Sequence, residues 1–158
     1  MGGGLITDKT QLKSIRENNI TKVSKIIAEI LADGNSVILV HGAGSFGHLE
    51  AKKWKLATGF DEETIDAQRD AVKKVRNDMI ELNRYVLDNL ESFGIICKSH
   101  PPSLWADGLG SEFNGDLSRF EVNNNKVIPV TFGDVVDVHD KREFGILSGD
   151  DLMVRICN

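Results

Sequence analysis

The strongest constraint on the fold is the run Ser36-Val37-Ile38-Leu39-Val40, which passes directly into His41-Gly42-Ala43-Gly44-Ser45-Phe46-Gly47-His48. A strand with no polar face belongs in the middle of a parallel sheet, covered on both sides. The glycines that follow let the chain turn at once, and a short helix is expected to follow to Ala57. The segment therefore reads as a strand–loop–helix unit of an α/β protein.

The surrounding patterns agree. Val23, Ile26, Ile27, Ile30 and Leu31 recur at steps of three and four and predict a helix over 21–33, with Thr21 as its cap and Asp33-Gly34 as its stop. Ile65, Val72, Val75, Met79, Leu82, Val86 and Leu90 mark the buried stripe of one long helix over 61–91, ended by Phe93-Gly94. Ile95-Ile96-Cys97 reads as the next strand, and Pro101-Pro102 as an irregular loop. The polar, glycine-dotted stretch 107–125 supports no assignment. A strand is expected at 126–132, ending at Gly133-Asp134. A hairpin is expected between 135–138 and 144–147 across Asp140-Lys141-Arg142. Ser148-Gly149-Asp150-Asp151 then opens a last helix. Strands alternate with helices, so the fold class is α/β with a mainly parallel sheet.

Charge and cysteine content narrow the function. The 158 residues carry 24 acidic and 19 basic side chains, a net charge of -5, which argues against general nucleic-acid or anionic-membrane binding. No apolar run reaches the roughly 18 residues of a membrane span. The first residues lack the basic-then-apolar order of a secretory leader, so a cytoplasmic setting is expected. Cys97 and Cys157 have no metal spacing and are expected to be buried thiols in a reduced compartment. His100 and His139 stand alone, and no protein-held metal is expected.

Gly42, Gly44 and Gly47 satisfy G-x-G-x-x-G, but a dinucleotide crossover needs a second strand soon after, ending in an acidic residue about 20 residues on. At that distance Asp61-Glu62 open a long helix instead. Gly42 and Gly47 also have P-loop spacing, yet His48-Leu49 stand where lysine and a hydroxyl residue are required. Two readings survive. In one, main-chain N–H groups, the Ser45 hydroxyl and His48 converge on an anion at a helix N-terminus. In the other, the loop is a tight structural turn with exposed histidines. Lys9, Gly133-Asp134 and the 148–151 turn are further candidates for the same sheet edge, where α/β proteins gather ligands. The 148–151 turn also reads simply as a good helix cap.

Four stretches together resemble the amino acid kinase superfamily, and within it the isopentenyl phosphate kinases. They are Gly2-Gly3-Gly4 with Ile6-Thr7-Asp8-Lys9, then Val40 through His48, then Val130-Thr131-Phe132-Gly133-Asp134-Val135-Val136, then Ile146-Leu147-Ser148-Gly149-Asp150-Asp151-Leu152. His48 at the end of Gly-Ser-Phe-Gly-His is the more specific mark, shared with the related fosfomycin kinases, and Ala51-Lys52-Lys53 also fits. The resemblance implies a three-layer αβα sandwich and ATP-dependent phosphoryl transfer to isopentenyl phosphate, with Mg²⁺ arriving on the ATP. It implies that Gly2, Gly3, Gly4, Lys9, Ser148 and Gly149 meet the ATP phosphates. Gly44, Ser45, Gly47, His48, Gly133 and Asp134 would line the acceptor site. Lys9, His48 and Asp150 would take catalytic parts, His48 as a hydrogen-bond donor and Asp150 as an orienting group. The long helix would wall the acceptor's tail.

The same resemblance sets expectations about extent. The family carries a lysine ahead of the first glycine cluster and a nucleotide-binding half beyond Ser-Gly-Asp-Asp. Residues 1–158 are thus expected to form one partial domain, the acceptor-binding half, with an open sheet edge, a tendency to form a homodimer and little kinase activity of its own. Another amino acid kinase, such as a carboxylate kinase, or a non-catalytic phosphate-binding domain are the competing readings.

Overall fold

The computed structural model describes residues 1–8, 10–121 and 127–158. The helices are α1 (Gly3–Ile6), α2 (Glu17–Ala32), α3 (Gly44–Lys53), α4 (Ile65–Ser92) and α5 (Gly149–Cys157). The strands are β1 (Leu39–His41), β2 (Ile96–Ser99), β3 (Ala106–Asp107), β4 (Asn114–Gly115), β5 (Val127–Phe132), β6 (Asp134–Asp137) and β7 (Phe144–Leu147).

The structure is mixed α/β with a parallel sheet, as expected, but the strands form two sheets rather than one. β1, β5 and β2 make a parallel sheet in that order, and β4-β3-β6-β7 make a mixed one. The split falls at Gly133. β5 and β6 are one extended run interrupted there, and the Gly133 N–H donates to the His41 carbonyl at 3.0 Å. The chain thus leaves the first sheet and enters the second at the residue that faces the end of β1. The expected hairpin is present, with Val135 opposite Ile146 and Asp137 opposite Phe144.

Successive residues of β1 enter different cores. Leu39 packs with Met79, Leu82, Val86 and Phe132 on the α4 side, and Val40 packs with Val136, Leu147 and Leu152 on the α5 side. This is why the strand needs no polar face. Leu82 and Leu90 are fully buried along α4, and truncating either to alanine costs about 2–5 kcal/mol.

Several boundaries differ from expectation. α2 begins at Glu17, so Thr21 sits inside the helix instead of capping it. The buried stripe starts at Ile20, which is 2% exposed, and the Arg16 N–H is bonded to the Ile6 carbonyl before the helix begins. Pairing in the first strand starts at Leu39, not Ser36, and the next strand runs from Ile96 to Ser99. The unassigned stretch holds β3, β4 and a 3₁₀ turn at Leu117–Phe120. Of the thiols, Cys97 is half-buried and pushed up to about 11 by desolvation, but Cys157 is exposed, against expectation. Among the described residues no helix is long and apolar enough to cross a membrane.

Candidate active site

Two helix N-termini set the geometry. α3 starts at Gly44, immediately after β1, and α5 starts at Gly149, immediately after β7. Both helix N-termini, with their dipoles, lie at the carboxyl end of the parallel sheet. Two neighbouring cavities lie there, sharing Gly42 and Gly149 as a common wall.

The first cavity, about 160 Å³, has a polar rim and an apolar floor. Gly42, Ala43, Gly47, His48, Gly133, Asp134, Ser148 and Gly149 form the rim. Ala51 of α3, Val75 and Met79 of α4, Val135 and Ile146 form the floor. The second cavity, about 290 Å³, is lined by Met1, Gly2, Gly3, Val40, His41, Gly42, Gly149, Asp150 and Met153. His48 is exposed near the start of α3 and is among the residues that line the first cavity. Asp150 is exposed at the first turn of α5.

Asp134 is 2% exposed and its carboxylate accepts from the N–H groups of Val135 (2.8 Å) and Ser103 (3.3 Å). Desolvation still holds its pKa above the ordinary aspartate value. It ties the turn after β2 to β6 while forming part of the cavity rim. Ser148 accepts from the Asp151 N–H, and Asp151 accepts in return from the Ser148 N–H and hydroxyl. The capping reading of that tetrapeptide therefore holds, with the Ser148 backbone still on the rim.

Three sequence candidates stand elsewhere. Gly44 is buried at φ 50°, where an added Cβ would lie 2.0 Å from Thr7 Oγ1 and 2.8 Å from the Gly3 carbonyl. Ser45 is 1% exposed; its N–H donates to Thr7 Oγ1 (2.9 Å) and its hydroxyl accepts from the Ser14 N–H (3.2 Å). Gly4 lines neither cavity, and its carbonyl accepts from Arg16. These residues join the two glycine loops and do not face a ligand. The N–H groups of Gly42, Phe46 and Gly47 are likewise bonded to Met1, Ala43 and Ala43 carbonyls. The N–H groups of Ala43 and Gly44 have no acceptor among the described residues, and of the two only Ala43 lines the first cavity, so the broad cradle of main-chain donors over 42–47 reduces to the Ala43 N–H. Lys9 lies outside the described residues.

Four functional or supporting residues were not singled out in the sequence. Thr7 is fully buried and donates to the Gly3 carbonyl (2.8 Å) while accepting from Ser45. His41 is fully buried rather than exposed, and burial pushes it down to about 4, so it is neutral. Asn83 bonds His41, and Gln68 holds the Trp54 and Gly59 carbonyls. Both amides interrupt the apolar stripe of α4 at helical spacing, and that interruption is the sequence signal that marks them.

Two glycine-walled cavities, side by side at the carboxyl ends of a parallel sheet and bordered by helix N-termini, place the chain among α/β proteins with a crevice at the strand ends, where such folds gather ligands. The sequence matches the amino acid kinase family over residues 1–158, and the chain belongs to that family. It is 30% identical over 165 residues to isopentenyl phosphate kinase of Methanocaldococcus jannaschii, covering 100% of this chain and 62% of that protein. To the protein of the same name from Methanothermobacter thermautotrophicus it is 32% identical, over 97% of this chain and 59% of the other. An X-ray structure of isopentenyl phosphate kinase superposes with a TM-score of 0.86 at 32% identity, over 97% of this chain and 63% of that one. A Synechocystis aspartate kinase superposes at a TM-score of 0.56 with 12% identity, a likeness of fold alone. The chain therefore spans about three-fifths of the length of the isopentenyl phosphate kinases it matches.

Proposed function

We propose that these residues form the acceptor-binding half of a kinase that moves a phosphoryl group onto a small phosphate monoester, isopentenyl phosphate being the best fit. The carrying observation is the first cavity: a polar rim of His48 and the unpaired Ala43 N–H above a floor of Ala51, Val75, Met79, Val135 and Ile146. A phosphate on the rim would leave a short branched hydrocarbon on the floor. The names of the relatives support this substrate.

The second cavity suits the phosphate end of a nucleotide. Nothing stands within 4 Å of where a Gly2 Cβ would be, and the N-terminus of α5 faces the same space. No Lys or Arg side chain is among its described lining residues, and Asp150 is the one carboxylate there. No group of three or more His, Cys, Asp and Glu side chains is found among the described residues, so Mg²⁺ would be held mainly by the nucleotide's own phosphates. Bound ATP would supply the transferred group. The acceptor's phosphate oxygen is already anionic, so no strong base is needed at this chain's side of the reaction. His48 serves by donating to the acceptor phosphate, and the Ala43 N–H fixes its position. Asp150 would orient cationic groups brought to the second cavity.

The lack of described cationic side chains in the second cavity also favours a second reading, in which this polypeptide binds the acceptor without turning it over. Separate calorimetric titrations test both. Isopentenyl phosphate should bind in a one-to-one complex and ATP much more weakly. Absence of acceptor binding would end the kinase reading, and measurable production of isopentenyl diphosphate would end the binding-only one.

A further inference from the structure

A buried polar chain runs under the 42–47 loop. His41 closes β1, Asn83 projects from α4, and Ser99 ends β2. His41 and Asn83 are 0% and 3% exposed, and the imidazole stacks on Phe132 with centroids 5.1 Å apart. Nδ1 lies 3.2 Å from the Gly42 carbonyl oxygen, Nε2 lies 3.1 Å from the Asn83 amide, and the other end of that amide lies 2.7 Å from Ser99 Oγ.

Proton counting fixes the arrangement. A carbonyl oxygen only accepts, so the 3.2 Å contact with Gly42 is a hydrogen bond only in the tautomer that carries its hydrogen on Nδ1. The ring is neutral, so Nε2 is bare and requires a donor. Asn83 is placed with its oxygen toward Nε2; rotating the amide by 180° puts its NH₂ there and turns the oxygen to Ser99. The Ser99 hydroxyl then donates. A separation of 2.7 Å suits O–H···O and is short for N–H···O, in agreement with this orientation.

In a trans peptide the carbonyl and the following N–H point in opposite directions, and no cis peptide is present among the described residues. With the Gly42 carbonyl held inward by the imidazole, the Ala43 N–H faces outward, at the rim of the first cavity. We infer that His41 is a positioning residue: its Nδ1–H, braced through Asn83 and Ser99, aims the Ala43 N–H at the acceptor's phosphate. This rests on the acceptor reading of the first cavity, but the tautomer can be read without any ligand.

Ring-nitrogen NMR of the whole chain near neutral pH should show Nδ1 protonated and Nε2 bare. A ring protonated at Nε2, or at both nitrogens, would overturn the inference. Calorimetry with isopentenyl phosphate then compares His41→Phe, which keeps the ring stack but has no donor, with His41→Asn, whose amide reaches the Gly42 carbonyl from the Nδ1 position. The phenylalanine variant should lose about tenfold in affinity and the asparagine variant about threefold or less. Affinities that follow the melting temperatures of the variants, or that are equal in both, would overturn it. If the wild-type chain binds no isopentenyl phosphate, the acceptor reading and the aiming of Ala43 fall together. The ring spectrum then still decides whether His41 holds Gly42.

Discussion

The N-terminal parts of α3 and α5 both border the first cavity, yet they are built in different ways. α5 is capped locally, by Ser148 and Asp151 acting on each other within four residues. α3 has Ala43 at the capping position and no side-chain cap of its own. Its Ser45 N–H is satisfied by the hydroxyl of Thr7, 38 residues earlier in the chain. A local cap stabilises one helix. A cap borrowed across the molecule also fixes where the first glycine loop sits against the second, and so fixes the wall between the cavities.

The largest test of that difference is steric. Gly3→Ala places a Cβ 2.3 Å from the Gly44 nitrogen, main chain that cannot move aside, and should cost at least about 3 kcal/mol in urea unfolding. A wild-type midpoint would mean that the loops are not in backbone contact.

The next largest effect is a pH dependence under the same loop. His41 has an ordinary value of 6.5 when unfolded and about 4 when folded, so the native state binds fewer protons. Its contribution is fully present above pH 6.5 and is lost as pH falls through about 4, a difference of about 3 kcal/mol. Asp134 acts in the opposite sense, because its raised value lets the native state hold a proton more tightly. Comparing wild type with His41→Phe at pH 7, 5 and 4 isolates the histidine. Equal pH slopes in the two proteins would show that His41 is not buried and neutral.

Thr7→Val follows, at about 2 kcal/mol, because it strands the buried Ser45 N–H; the Gly3 carbonyl loses the hydroxyl but keeps the Thr7 main-chain N–H. It should also weaken acceptor binding, since the wall moves. Ser148→Ala should cost about 1 kcal/mol by thermal melting and leave acceptor affinity within twofold. If Ser148→Ala proves the more damaging to binding, the roles of the two caps are reversed.

The same contrast explains what the sequence made legible. The α5 cap was readable because Ser148 and Asp151 stand three residues apart. The central strand, the long α4 and the 135–147 hairpin were readable because their patterns are local and periodic. His48, Gly47, Gly133, Asp134 and Gly149 line one cavity, and the strand–loop–helix order of the sequence already groups them at one sheet edge. Ser45 and Gly44 were read as ligand-facing because a glycine loop presents main-chain donors. What the sequence could not show is that Thr7, Met1 and the Ala43 carbonyl had already taken most of them. Burial of His41 was hidden for the same reason, as it depends on Asn83, 42 residues away. The two-sheet arrangement turns on a single break at Gly133, which no period reveals.

The account stands or falls on whether a phosphate sits at the rim beside His48. Calorimetric titration of isopentenyl phosphate into wild type and His48→Ala is the most direct measurement. His48 is exposed and makes no side-chain hydrogen bond to the described residues, so the variant should melt like wild type. It should bind the acceptor at least about tenfold more weakly, the loss expected for one hydrogen bond to a charged group. Equal affinity in the two proteins would contradict the account.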